Sequence, residues 1–232
     1  MQPSIEILGL KIQEPVTSFT DLIVAGVCYY AFYQLHQTKS KERSVFYFKF
    51  FFLTMAISTT LGGLIGHAFL YAFGFAWKIP GWVTGMCSVA FMERAAIMQS
   101  RSIMKEKVSH FFAFMNLIEL SIFIFIAFYT LNFIYVEVHA FYGLLVVFLF
   151  EFFIYKKTKD AASKFILWGI GASALAAVVH ITKISLHTWF NYFDLSHVLM
   201  AIGAYMFYLG AKQIDQAIIS REKTPLNFKQ IS

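Results

Sequence analysis

Residues 109–131 read SHFFAFMNLIELSIFIFIAFYTL, a run of 23 positions in which Glu119 is the single Asp, Glu, Lys or Arg. An α-helix needs about 20 predominantly apolar residues to cross the hydrocarbon core of a bilayer. This run is therefore long enough and apolar enough to span a membrane. It decides the fold class, because six further segments of the same kind lie before and after it.

The composition of the whole chain agrees with a membrane protein. Of its 232 residues, 59% are hydrophobic and 14% are charged, whereas soluble domains average roughly 45–50% and about 25%. These values exclude a disordered chain and a nucleic-acid-binding domain. We predict an all-α fold, a polytopic bundle of seven transmembrane helices in one domain over residues 1–215, with a polar cytoplasmic tail over 216–232. The predicted helices are about 18–36, 45–75, 80–100, 109–131, 136–156, 164–186 and 192–212.

The distribution of basic residues predicts the orientation of the bundle. Cytoplasmic loops of membrane proteins are enriched in Lys and Arg. Fifteen of the 19 Lys and Arg residues lie around the loops after the first, third and fifth predicted helices and in the tail, whereas Lys11, Lys78 and Lys183 lie on the other side. We therefore expect the N-terminus outside and the C-terminus inside, in a bacterial inner (plasma) membrane.

Ionisable side chains inside membrane helices are costly and mark functional sites. His67, His180 and His197 fall near the outer ends of the second, sixth and seventh predicted helices. Imidazoles from several helices are typical zinc ligands, and a catalytic zinc keeps an open position for water. We therefore predict that these three histidines bind a metal ion, with zinc expected, and that Asp194 or Asp21 accepts the proton of the metal-bound water.

The same residue types also have purely structural interpretations. A histidine in a membrane helix can simply hydrogen-bond a neighbouring helix, and Asp194 and Asp21 stand where carboxylates cap helix N-termini. His139 is expected at the membrane interface. Glu93 and Glu119 lie deeper, and the sequence leaves open whether they pair with neighbours or relay protons.

The arrangement resembles the CREST superfamily of heptahelical hydrolases, which includes alkaline ceramidases and adiponectin-receptor proteins. His67 matches the histidine late in their second helix, and His197 matches one histidine of the pair in their seventh. The resemblance implies a zinc site that cleaves a lipid amide. This chain departs from the pattern at Gly63 in place of Ser, at Phe193 in place of the first His, and at the start of the third predicted helix, which has no Asp.

The chain resembles small uncharacterised bacterial heptahelical membrane proteins more closely. The shared features are Thr20-Asp21 at the start of the first helix, the glycine-rich stretch from Gly62 to His67, and the Asp194-x-x-His197 spacing. This likeness implies a common site and supplies no reaction.

The function that we predict is that of an integral membrane, metal-dependent hydrolase of a lipid amide or ester. Its expected partners are membrane lipids and a lipid substrate or small hydrophobic ligand, with no nucleic acid. Two alternatives remain open. The polar cluster can belong to a non-catalytic receptor, sensor or accessory subunit that binds a small ligand, or His67 facing another imidazole can hold a haem.

Overall fold

A computed structural model describes residues 2–38 and 40–223, with the backbone alone for 216–223. A short hairpin of β1 (Ile5–Ile7) and β2 (Leu10–Ile12) precedes the helices. The helices are α1 Pro15–Gln37, α2 Arg43–Leu61, α3 Leu70–Phe73, α4 Ile79–Gln99, α5 Glu106–Thr130, α6 Ile134–Thr158, α7 Ala161–Thr182 and α8 Tyr192–Lys223. We call the end of the bundle that carries the hairpin the hairpin end.

Each of the seven predicted helices corresponds to one long helix. The predicted break at Asn132 is confirmed, because α5 ends at Thr130 and Leu131 has a left-handed backbone with φ 52°. The second predicted helix is interrupted. After α2 the chain forms a π-helical segment, Gly62–Ala68, and then the four-residue α3.

Two local features differ from the prediction. The hairpin adds two strands to a chain that we expected to be all α-helical, and its turn has positive φ at Leu8 and Gly9 (51° and 78°), as a type I′ turn requires. In addition, α8 continues to Lys223, past the predicted boundary between residues 215 and 216. Residues 224–232 of the predicted tail lie outside the described residues.

Six of these helical segments are long and apolar enough to cross a membrane, as expected for an integral membrane protein. They are Pro15–Gln37, Arg43–Ala68, Glu106–Thr130, Ile134–Thr158, Ala161–Thr182 and Tyr192–Asp215. The remaining long helix, α4, is less apolar because it contains Glu93 and Arg94 together with Thr84, Ser88 and Gln99. It lies between α2 and α6, and more than half of its residues are buried.

The long helices form a closed arrangement around an aromatic and aliphatic core. In order, α1, α2, α4, α6, α7 and α8 each pack on the next, and α8 returns to α1. The core contains Leu35 of α1, Phe48 and Phe52 of α2, and Met92 and Ile97 of α4. The fifth helix packs mainly on its neighbours α4 and α6 and exposes most of its length. Its outward apolar side chains are those that a lipid-facing helix presents.

Glycines allow the close contact between α7 and α8. A Cβ atom added to Gly169 would lie 2.6 Å from the ring of Phe207 and 3.0 Å from the carbonyl oxygen of Gly203. Such small residues let membrane helices approach closely and pack tightly. Gly171 of the same helix has no heavy atom within 4 Å of its would-be Cβ.

The pair Gly169 and Gly171 provides a matched test of this packing. We expect Gly169→Ala to destabilise the protein by about 1–3 kcal/mol, because the new methyl group forces Phe207 and the α8 backbone to move. Gly171→Ala is expected to be neutral or slightly stabilising, since Ala favours a helix over Gly by up to about 1 kcal/mol. Thermal unfolding in detergent measures both, and equal effects would contradict the account.

Candidate functional site

The π-helical segment and α1 meet at the hairpin end of the bundle. A Cβ on Gly63 would lie 2.9 Å from the carbonyl oxygen of Ser18, and one on Gly62 would lie 3.1 Å from a carboxylate oxygen of Asp21. The Ser18 hydroxyl donates to the carbonyl of Gly63 at 2.7 Å. The two glycines thus bring the backbone against α1, as their lack of side chains predicts. The π-helical segment that they begin places His67 toward Asp21. Helical segments of this kind are frequent at functional sites.

His67 lies between two carboxylates. Its Nδ1 is 2.7 Å from Glu14 Oε2, and its Nε2 is 3.9 Å from Asp21 Oδ2. The hydrogen bond from His67 keeps the pKa of Glu14 below its ordinary value. Nδ1 therefore carries a proton that it donates to Glu14, and in the neutral form of the ring Nε2 has a free electron pair on the side of Asp21.

His197 reaches the same carboxylate from α8. Its Nδ1 is 3.0 Å from Thr20 Oγ1, and its Nε2 is 3.4 Å from Asp21 Oδ1. The Thr20 hydroxyl also lies 3.0 Å from the carbonyl of Thr17, to which it can donate. When it does so, it accepts from Nδ1, and the Nε2 of the neutral His197 has a free electron pair.

The outer cluster, as we call Glu14, Thr20, Asp21, His67 and His197, therefore has one unusual property. Two imidazole nitrogens face one buried carboxyl group, and the rings of the two histidines are 6.3 Å apart between centroids. A cation placed among two imidazoles and a carboxylate would be stabilised by all three. These three side chains could therefore hold a metal ion.

The structure does not bring His180 into this group. Its Nε2 is 3.3 Å from Glu137 Oε1, and its ring packs on Phe193 with centroids 5.1 Å apart. Phe193 in turn packs on His67 at 5.5 Å. The aromatic ring of Phe193 contacts both histidines, so the predicted set of three histidine ligands is not assembled as we expected.

Asp194 has the structural role that the sequence offered as its alternative. One oxygen accepts from the Thr17 hydroxyl at 2.8 Å, and the other accepts from Gln2 Nε2 at 2.7 Å and the backbone of Asn191 at 2.6 Å. Asn191 in turn accepts from the backbone of Phe193, which completes a capping box at the start of α8. Since Asp194 is fully buried and its oxygens are in use, the predicted role as a proton acceptor for water has no free atom to perform it.

A cavity lies next to the outer cluster. Its volume is about 360 Å³, and its walls are Glu14 and the segment over residues 185–193. Glu14 therefore contacts both the cavity and His67. A small polar ligand in this cavity would lie one side chain away from the facing acceptors.

A second polar group lies deeper in the bundle and includes a residue whose environment we predicted wrongly. His139, expected at the interface, is fully buried, and its Nε2 is 3.4 Å from Glu119 Oε1. Glu93 lies beside them, while Arg94 donates to Asn116 at 3.1 Å instead. In the part of the chain that the structure describes, this is the one group of three His, Cys, Asp or Glu residues whose ligand atoms all lie within 4.8 Å of one another.

These features define a polytopic helical protein with polar groups buried between its apolar helices. The chain belongs to a family of unknown function, DUF6962, whose model matches residues 16–216. The match covers Asp21, His67 and His197 and leaves Glu14 just outside. No curated protein and no solved structure matches the chain. The resemblance to the CREST hydrolases stays a prediction.

The structural role of Asp194 can be tested by mutation. We expect Asp194→Ala to destabilise the protein by about 3 kcal/mol or more, because it leaves three donors unpaired in a buried site. Asp160, which caps α7 by accepting from the backbone of Ser163 and also accepts from the exposed Thr158 hydroxyl, is the matched control, and Asp160→Ala should cost about 1 kcal/mol. Chemical denaturation in detergent measures the free energy of unfolding of both variants, and equal losses would refute the structural role of Asp194.

Proposed function

We propose that this protein is an integral membrane, metal-dependent hydrolase whose metal ion is bound by His67, His197 and Asp21. The observation that carries the proposal is the convergence of two imidazole Nε2 atoms on one buried carboxyl group. Compared with the sequence prediction, Asp21 replaces His180 as the third ligand. Two histidines and one carboxylate are also the protein ligands of several catalytic zinc sites.

The distances support this ligand set. With zinc bonds of about 2.0–2.1 Å, the ligand atoms of a tetrahedral site lie about 3.3 Å apart. The separations from Asp21 to His197 and His67, 3.4 and 3.9 Å, are close to this value, although they run to different oxygens of Asp21. The three ligand atoms do not all lie within 4.8 Å of one another, so binding of the ion would have to draw the two imidazoles together. The remaining nitrogens bond to Glu14 and Thr20, and such partners on the far side of a ligating imidazole orient the ring and favour metal binding.

The expected chemistry follows from an open coordination position. His67, His197 and Asp21 would hold the ion and leave one coordination position open, and zinc would supply activation of a water molecule near neutral pH without a separate strong base. No role for Asp194 is then needed. The adjacent cavity would admit the carbonyl group of the substrate, and the surrounding membrane would supply a lipid amide or ester, as the resemblance to CREST hydrolases implies.

We further propose that all seven long helices span the membrane, with the hairpin end outside. The long helix outside the six apolar segments, α4, has 21 residues and a length of about 32 Å. Its polar side chains face other helices. The excess of basic residues at the opposite end supports this orientation. Single cysteines are introduced by Thr188→Cys and by Ser102→Cys and exposed to an impermeant maleimide in intact cells. The cysteine at 188 should be labelled and the one at 102 should not; the reverse would contradict the orientation.

A non-catalytic sensor is the second candidate. It is favoured by the 2.7 Å contact between Glu14 and His67. A proton can take the place of the metal beside His67, and Glu14 would pass this change of charge to the cavity that it lines. The haem alternative has less support, because Asp21 lies between the two imidazoles where a porphyrin would have to fit.

Metal content and hydrolysis test the proposal together. Zinc-loaded protein carrying His67→Gln or His197→Gln should contain about one ion per chain less than the wild type and should lose hydrolysis by at least about 100-fold, because a catalytic ligand is removed. His180→Gln is the matched control and should keep both properties. Elemental analysis and hydrolysis of fluorogenic lipid esters and amides in vesicles provide the readouts.

Each possible result of this experiment has a clear meaning. Unchanged zinc in His67→Gln and His197→Gln would refute the ligand set, and loss of zinc in His180→Gln would restore the original prediction. Zinc that depends on His67 and His197 without hydrolysis of any lipid substrate would refute the hydrolase and favour the sensor.

A further inference from the structure

Three helices bring ionisable side chains together in the interior of the bundle. Glu93 comes from α4, Glu119 from α5 and His139 from α6, and one ligand atom of each lies within 4.8 Å of the others. Gly143, one turn after His139, makes this possible, because a Cβ there would lie 2.8 Å from Glu93 Oε1 and 2.2 Å from a methyl carbon of Val89. The absence of a side chain at 143 lets Glu93 lie directly against α6.

Five buried polar atoms of this group have no hydrogen-bond partner. They are Glu93 Oε1, both carboxylate oxygens of Glu119 and both ring nitrogens of His139. Glu93 is 1% and His139 0% exposed, so water does not solvate these two side chains. Buried polar atoms without a partner are costly, which predicts that a further group belongs at the centre of this cluster.

We infer that Glu93, Glu119 and His139 bind a second metal ion, a divalent transition metal such as Zn²⁺ or Mn²⁺. Two carboxylates and one imidazole are ligands that these ions accept. The two negative charges balance the charge of a divalent cation, so the complex is neutral in an apolar interior where an isolated charge would be costly. The nearby cation, Arg94, does not serve this purpose, because it donates to Asn116.

The position of the group indicates a structural ion rather than a second reaction centre. The outward helix α5 has few buried residues, among them Ser109, Ala113, Asn116 and Ala127. An ion shared by Glu119, Glu93 and His139 would tie α5 to α4 and α6 at mid-depth. This site goes beyond the proposed hydrolase and does not depend on it, since it shares no residue with the outer cluster.

Zinc stoichiometry of the full-length protein in detergent tests the inference. After loading with ZnCl₂ and removal of free metal, Glu93→Gln and Glu119→Gln should each contain about one zinc per chain less than the wild type. Glu151→Gln is the matched control, because Glu151 is fully buried on α6 and outside both groups; it should keep the wild-type content. Equal zinc in the wild type, Glu93→Gln and Glu119→Gln would overturn the inference, whatever happens in His67→Gln.

A second measurement avoids mutation of the inner group, in case those variants fail to fold. Protein carrying both His67→Gln and His197→Gln is loaded with Mn²⁺ and studied by pulsed EPR. One bound manganese with one coordinated imidazole nitrogen is expected, from His139. Absence of bound manganese, or manganese without a coordinated imidazole, would overturn the inference, whereas the proposed hydrolase would be judged only by the variants of the outer cluster.

Discussion

A polar side chain buried between membrane helices is stable only if another group in the protein or a bound ion pairs with it. The bundle meets this requirement in three different ways. Asp194 has every oxygen in use. His67 and His197 each have one nitrogen in use and one directed at Asp21. In the inner group, neither ring nitrogen of His139 has a hydrogen-bond partner, although Nε2 lies 3.4 Å from Glu119. This gradation distinguishes residues that build the fold from residues that we propose bind an ion.

The outer cluster depends on the way in which α1 meets the π-helical segment. The backbone at Gly62 and Gly63 passes so close to α1 that a side chain there would collide with Ser18 and Asp21. This approach directs His67 at Asp21, while the capping box at Asp194 fixes the start of α8 and with it His197 one turn later. Backbone packing and helix capping therefore position His67 and His197 without a metal ion. The proposed ion would complete an arrangement that the helices already impose.

The sequence predicted the helices well because long apolar runs have few alternatives in a bilayer. It placed Asp21, His67 and His197 at one end of the bundle, since helix length determines depth. It failed where the rotation of a helix matters. His180 lies at the expected depth but contacts Glu137, and His139 turns inward to Glu119 rather than to the interface. Residues within one helical turn have nearly the same depth but point to opposite faces of the helix, so depth alone does not show which residues meet.

Some partners carry no local sequence signal. Glu14 stands before α1 and bonds to His67, 53 positions away, and Gln2 bonds to Asp194, 192 positions away. Such contacts arise from the return of the N-terminal segment over the end of the bundle. The glycines before His67 were a usable signal, because their run inside an apolar helix predicts close approach of another chain segment. The hairpin was missed because its strands have three residues each.

The most direct test of the account is the anomalous scattering of zinc-loaded crystals, measured above and below the zinc absorption edge. The account predicts an anomalous peak within about 2.3 Å of His67 Nε2, His197 Nε2 and an oxygen of Asp21. A peak beside His180 instead, or an electron-density map of loaded protein with no anomalous peak among these three residues, would contradict it.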